Sequence, residues 1–191
     1  MGLCDDALTK IPRAEMEERV KDVLNVGCGR KLMSEAVNLD ISADVGADVV
    51  HDLSQLPWPL PPDSFGAVHA FDVIEHLENV VGVMEEIHRV CRPAARVHIT
   101  VPHFSSANAY TDPTHRHHFS YFSFDYFEAG HELAFYSKAR FRRRSAQIVF
   151  YPSVMNKVVH RLANRFPLKY EQRWAWIFPA WFLSLELEAV K

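Results

Sequence analysis

Val26-Gly27-Cys28-Gly29 puts two glycines in a turn directly after a short apolar run, and Asp40 closes the next apolar run. Glycine admits positive φ and lets a ligand lie against bare backbone. A carboxylate ending the following strand accepts hydrogen bonds from both hydroxyls of a ribose. A second carboxylate, Asp52, ends a third apolar run, where it accepts from the amino group of an adenine. In an open α/β sheet such positions share one edge, the carboxyl ends of the strands beside the switch point, where ligands bind. Together they describe a pocket for an adenosine. Plain turn formation and capping are the competing roles of the same residues.

The residues after the turn narrow the ligand. Gly27-Cys28-Gly29-Arg30-Lys31-Leu32 has leucine where a dinucleotide fingerprint needs its third glycine, and no Gly-Lys-Ser/Thr comes next to cradle a phosphate.

Two further groups carry donor atoms. Asp72-Val73-Ile74-Glu75-His76 comes after a fourth apolar run. Its oxygens and imidazole suit a divalent ion that holds a hydroxylated acceptor. Capping or orienting the next helix is the plainer role and is preferred. His103, Asp112, His115, His117 and His118 lie in an aromatic-rich stretch, residues 103–136. Their types allow a metal, but the spacing matches no zinc pattern and Arg116 puts a cation among them. The preferred reading is an acceptor-pocket wall in which His115 or His118 is a base. A surface loop with ordinary histidines competes with it, because eleven histidines in 191 residues make each one weak evidence. No metal is assigned to the chain.

The elements that must position these groups alternate. Short apolar runs at 22–26, 36–41, 47–53, 66–71 and 95–101 read as strands, with a Pro-rich connector at 56–65. Residues 11–20 read as a short helix. Leu77, Val80, Val81, Met84, Ile87, Val90 and Cys91 recur at helical spacing, with Glu78, Glu85, Glu86 and Arg89 on the other side and Pro93 as the stop. Strands alternating with helix or loop indicate a parallel α/β sheet. Further on, 146–151 reads as a strand and 154–166 as a helix. Leu183, Leu185, Leu187 and Ala189 alternate with polar residues, which suits an antiparallel or edge strand.

Composition bounds the rest. A chain of 191 residues suits a single domain over 1–191 with a real hydrophobic core. Net charge −3 gives no reason to expect nucleic acid, and the basic run Lys138 to Arg144 reads as a solvated turn or edge strand. Three cysteines at unrelated spacings, Cys4, Cys28 and Cys91, suggest neither a disulfide framework nor a thiolate zinc site. The N-terminus lacks a signal-peptide run, Asp6 argues against acylation at Gly2, and no 18-residue apolar run exists. A cytoplasmic protein is the expectation. The aromatics of 104–136, with Trp174, Trp176 and Trp181, are read as mostly core; 173–183 is also apolar enough to meet a membrane surface or a second subunit, so a homodimer is open.

The ordered segments VLNVGCG, VNLD, VVHDLSQLPWP, SFGAVHAFDVIEHL and MEEIHRVCRPAARVHITVPH resemble the successive motifs of class I S-adenosylmethionine-dependent methyltransferases of the type-11 kind. DPTHRHHFSYFSFDYF resembles a segment found after the fifth strand in small bacterial members. The resemblance implies a Rossmann-like fold of seven strands, mostly parallel, with an antiparallel last strand. It implies that Gly27, Cys28 and Gly29 hold the methionine part of S-adenosylmethionine, Asp40 and Ile41 the ribose region, Asp52 and Leu53 the adenine, and that Phe71 faces the sulfonium. His76 falls near the donor methyl and joins His115 and His118 as a candidate catalytic group. Residues 103–136 become an insertion or lid on the acceptor side.

Two departures from that pattern matter. Asn25 stands where an acidic residue is common. Only Arg30–Val37 separates the turn from Asn38-Leu39-Asp40, whereas a parallel crossover usually takes about a dozen residues or more. The first helix is therefore expected to be shortened or absent, with Arg30 or Lys31 supplying the positive charge its N-terminus would have given. The expected activity is methyl transfer to a small-molecule acceptor. Its rivals are a non-catalytic protein that keeps the fold and an NAD-dependent oxidoreductase, which Leu32 disfavours.

Overall fold

The structure, a computed structural model, describes residues 21–191. The helix expected at 11–20, together with Gly2 and Cys4, lies outside the described residues. Seven strands form one sheet: β1 (Val23–Val26), β2 (Ala36–Asp40), β3 (Val49–Val50), β4 (Phe65–Phe71), β5 (Cys91–Pro102), β6 (Phe141–Val149) and β7 (Phe182–Ala189). Their order is β3-β2-β1-β4-β5-β7-β6. The first five pair in parallel, and β7 runs antiparallel to both β5 and β6. The sheet is thus mostly parallel with an antiparallel last strand, and of the two roles the alternation at 183–189 suits, antiparallel or edge, β7 takes the first. Leu183, Leu185 and Leu187 are buried, and the long apolar strands β4 and β5 form its centre.

The crossover from β1 to β2 is made without a helix: residues 27–35 run as turns and loop. Asn25 explains how so short a connection is held. It is 3% exposed, and its Nδ2 donates to Lys31 O (2.9 Å) and Asn38 Oδ1 (3.0 Å). Asn38, its register partner, accepts at Oδ1 from Met33 N and donates from Nδ2 to Met33 O and Asp48 Oδ2. A helix satisfies its own backbone; a loop packed against a sheet needs side-chain partners. The two amides supply them. A carboxylate at position 25 could not donate to Lys31 O, so the missing acid and the missing helix are one adaptation.

The crossover from β4 to β5 is the helix α1 (Val80–Val90), begun by Asn79, whose side chain accepts from Gly82 N. Val83, Met84, Ile87 and Val90 face the core. Two details differ from the periodic reading. The helix ends at Val90, and Pro93 lies within β5. Glu86, placed on the polar side, is 7% exposed: it accepts from Trp58 N (2.8 Å) and from the Arg89 guanidinium (2.7 Å). The Pro-rich connector packs on α1 and buries that face.

Beyond β5 come a one-turn helix α2 (Asn108–Thr111), α3 (Val154–Arg165) and α4 (Pro167–Arg173), the last not anticipated. Strand β6 begins earlier than expected, so the basic run lies on an edge strand. There Arg142 and Arg144 pair with Glu188, and Arg143 with Asp125. Phe119, Phe124 and Phe127 join the core and Phe104, Tyr121 and Tyr126 pack against it, whereas Tyr110, Phe135, Tyr136, Trp174 and Trp176 are exposed. Among the described residues no helix is long and apolar enough to cross a membrane.

Candidate active site

The carboxyl ends of β1, β2 and β4 meet at the glycine turn. Gly27 has φ +61°, and a Cβ there would stand 2.3 Å from Val73 Cγ2. Gly29 has φ +47°, and a Cβ there would meet nothing within 4 Å. The first glycine therefore lets the segment after β4 close onto the turn, and the second leaves the outer face bare. Asp40 accepts at Oδ2 from Gly29 N (2.8 Å) and at Oδ1 from Ser42 N (3.0 Å). Asp52 accepts at Oδ1 from Ser54 N (2.9 Å). Both capping roles considered for these aspartates are therefore present. A carboxylate carries about four lone-pair sites, so each can still accept from a ligand. Ile41 is exposed beside Asp40, Leu53 is buried, and Cys28 is a buried thiol.

A cleft of about 180 Å³ is lined by Asn25, Gly27, Cys28, Gly29, Arg30, Lys31, Phe71 and Asp72. A larger cavity of about 860 Å³ adjoins it, and Lys31 and Asp72 line both. These two face each other across the boundary, Nζ to Oδ2 3.4 Å. Asp72 has φ +54°, rare for a non-glycine residue and typical of a site where structure is spent on function. Thr100 Oγ1 donates to its Oδ1 (2.9 Å) and holds it there.

The larger cavity is bounded by the segment after β4 and by the start of the 103–136 stretch, including Glu75, His76, Asp112 and His115. The two walls are joined by backbone: Arg116 N donates to Glu75 O (2.8 Å). Burial in this wall, reinforced by the charges of Asp72 and Asp112, pushes the Glu75 carboxyl up to about 7. Burial and the neighbouring His115 lower the pKa of His76, which favours neutral imidazole.

Of the candidate bases, the structure brings His76 and His115 together, ring centroids 4.6 Å apart, and leaves His118 outside: it is exposed and packs on Tyr110. The two sequence constellations regroup. Asp72 bonds Thr100 and pairs with Lys31, while its charge still acts on Glu75 and His76. His103 is fully buried between Ser105 Oγ (2.8 Å) and Glu171 (3.1 Å), and His117 bonds Glu78 O. Only His115 crosses over to join Glu75 and His76. No spacing rule could find that pairing, since it is made by the tie between Arg116 and Glu75.

These residues fit an adenosyl group with an aminoacyl arm. The turn offers bare backbone where a Cβ would intrude, and one acceptor carboxylate ends β2 while another lies just past β3, as a ribose and an adenine amine require.

Residues 24–99 match the family model described as a methyltransferase domain. No curated protein matches the chain. Among solved structures, a SAM-dependent methyltransferase from Archaeoglobus fulgidus superposes with TM-score 0.60 at 17% identity, covering 87% of this chain and 85% of that one. One from Mesorhizobium loti gives 0.57 at 14%, covering 87% and 89%. The [4+2]-cyclase SpnF gives 0.54 at 15%, covering 88% and 74%, so one fold hosts different reactions. The chain thus carries a match to a methyltransferase domain over residues 24–99 and shares the fold of solved SAM-dependent methyltransferases.

Proposed function

We propose that this enzyme transfers the methyl group of S-adenosylmethionine to a small oxygen- or nitrogen-bearing acceptor bound in the 860 Å³ cavity. The observation that carries the reading is the junction of two spaces at Lys31 and Asp72: a bare glycine turn on one side and a cavity lined by ionisable groups on the other. Asp40 and Asp52 hold the nucleoside, Gly27 and Gly29 the aminoacyl end, and Phe71 and Asp72 stand at the boundary. Bound there, the cofactor supplies a methyl already activated by its sulfonium. The protein's task is alignment, which supplies much of the rate of such a displacement. Trp181, Phe182 and Pro102 close the apolar side of the cavity, and 108–115 close the polar side. His76, whose neutral imidazole is favoured by burial, lines the acceptor cavity beside His115.

Calorimetric titration of S-adenosylmethionine and of NAD into wild type, Asp40→Asn and Asp52→Ala tests this. Binding of S-adenosylmethionine alone, weakened at least tenfold in both variants, is expected. Equal binding in all three proteins, or binding of NAD, overturns the assignment. Thermal unfolding without ligand separates a lost ligand contact from a disturbed turn, because Asp40 also caps Gly29 and Ser42.

A further inference from the structure

We propose that Glu75, His76 and His115 form a binding site for a divalent transition-metal ion that opens on the acceptor cavity. The proposal rests on the assignment of that cavity to the acceptor. One ligand atom from each residue lies within 4.8 Å of the others, and Glu75 Oε1 is 4.0 Å from His115 Nε2. Ligands at about 2.0–2.2 Å from a zinc ion stand roughly 3–3.5 Å apart, so a closure of about 1–2 Å completes the set.

The hydrogen-bonding around the two rings aims their lone pairs inward. His115 Nδ1 is 3.2 Å from Ala109 O. A carbonyl only accepts, so Nδ1 carries the proton and Nε2 is left as a donor of electrons. His76 Nδ1 is 2.8 Å from Thr114 Oγ1, and Thr114 Oγ1 is 2.7 Å from Asp112 Oδ1. The carboxylate takes the hydroxyl proton, so the threonine oxygen must accept from His76 Nδ1–H. His76 Nε2 is then unprotonated as well. This is the outer arrangement that fixes tautomers in metal sites.

The third donor supplies an independent sign. Glu75 is 1% exposed, and its Oε2 is buried without a hydrogen-bond partner. An uncompensated buried carboxylate is costly, and a cation is what would balance it. Two imidazoles and one carboxylate suit zinc and its first-row neighbours, and three protein ligands leave a position open. That position faces the cavity, where it would take an oxygen of the acceptor, a hydroxyl or carboxyl group, and lower the pKa of a bound hydroxyl. Asp72 is not part of the set.

The test uses full-length protein stripped with chelator and titrated with zinc ion alone, by calorimetry and by the visible spectrum of cobalt substituted for zinc. Wild type should bind one equivalent. Glu75→Gln and His115→Ala should each weaken that site about 100-fold, and Thr114→Val, which only releases the His76 ring, about 10–100-fold. His118→Ala, on the exposed neighbour, should bind as wild type. If Glu75→Gln fails to fold, Thr114→Val carries the test. No stoichiometric binding by wild type overturns the proposal, and so does binding that survives Glu75→Gln and His115→Ala but falls in His118→Ala. S-adenosylmethionine titrated into the same samples separates the two readings: zinc binding without cofactor binding refutes only the proposed function, and the reverse refutes only the metal site.

Discussion

Glu75 and Glu86 lie in the same stretch of chain and are buried alike, 1% and 7% exposed. Around Glu86 every group has an answer. Trp58 N and the Arg89 guanidinium donate to it, and Arg89 in turn donates to Leu60 O and Trp58 O. Around Glu75 the carboxylate has a buried oxygen without a hydrogen-bond partner and two imidazoles nearby. The pKa directions differ accordingly. Burial would raise Glu86, but the bonds from Arg89 and Trp58 outweigh it and hold the carboxyl below its ordinary value of 4.5. Glu75 goes the other way, to about 7. A satisfied buried acid is part of the scaffold; one left open toward a cavity marks a place built for something else.

The sharpest way to break this contrast is to remove each acid in turn. Glu86→Ala leaves Trp58 N without its acceptor and the Arg89 charge without its carboxylate beneath the connector, and should cost about 4 kcal/mol in denaturant unfolding. Glu75→Gln, in chelator, should cost no stability at neutral pH. A loss at Glu75 as large as at Glu86 would end the distinction.

Titration sharpens it next. Because the folded pKa of Glu86 is depressed, its contribution is present above 4.5 and fades as pH falls through the lower folded value. Because that of Glu75 is raised, its folded state is favoured below 4.5, and that advantage is lost as pH rises from 4.5 to about 7. Measured against Glu75→Gln without metal, wild type should therefore weaken by about 3 kcal/mol over that interval. Glu86→Gln should instead flatten the acid limb. A pH-independent difference in either case would refute the assigned environments.

The smallest effect tests a second closed network, the crossover. Asn25→Asp puts an acceptor where two acceptors, Lys31 O and Asn38 Oδ1, already point. It should cost about 2 kcal/mol and weaken S-adenosylmethionine binding through the turn. Unchanged stability would mean that the loop is held by something other than these amides.

The closed networks are harder to read in the sequence than the elements they support. The glycine turn, Asp40, the alternation of strands with helix or loop and even a shortened or absent first helix are legible in local spacing, because a parallel crossover has a minimum length. Asn25 reads as a defect, since what it bonds to is set by a register only the sheet supplies. Glu86 reads as a solvated helix position, since the Pro-rich connector that covers it has no periodicity. His115 is legible as one of several histidines, but its company is not: the tie from Arg116 to Glu75 O joins segments far apart in the chain. Periodicity reports which side of an element is apolar; it says nothing of which loop will lie over it.

The placement of β7 between β5 and β6 bears on how the chain reaches this fold. The partner of β5 on that side is made long after β5 itself, so the sheet grows late in folding and by distant contacts, which are slow to form. Until β7 arrives, β5 and β6 each present an unpaired edge to other chains. Strand β6 carries Arg142, Arg143 and Arg144 in succession, and like charges repel a second copy of the same strand. Once β7 is in place, Arg142 and Arg144 pair with Glu188 on it. The residues that guard the strand while it waits are those that greet its neighbour on arrival.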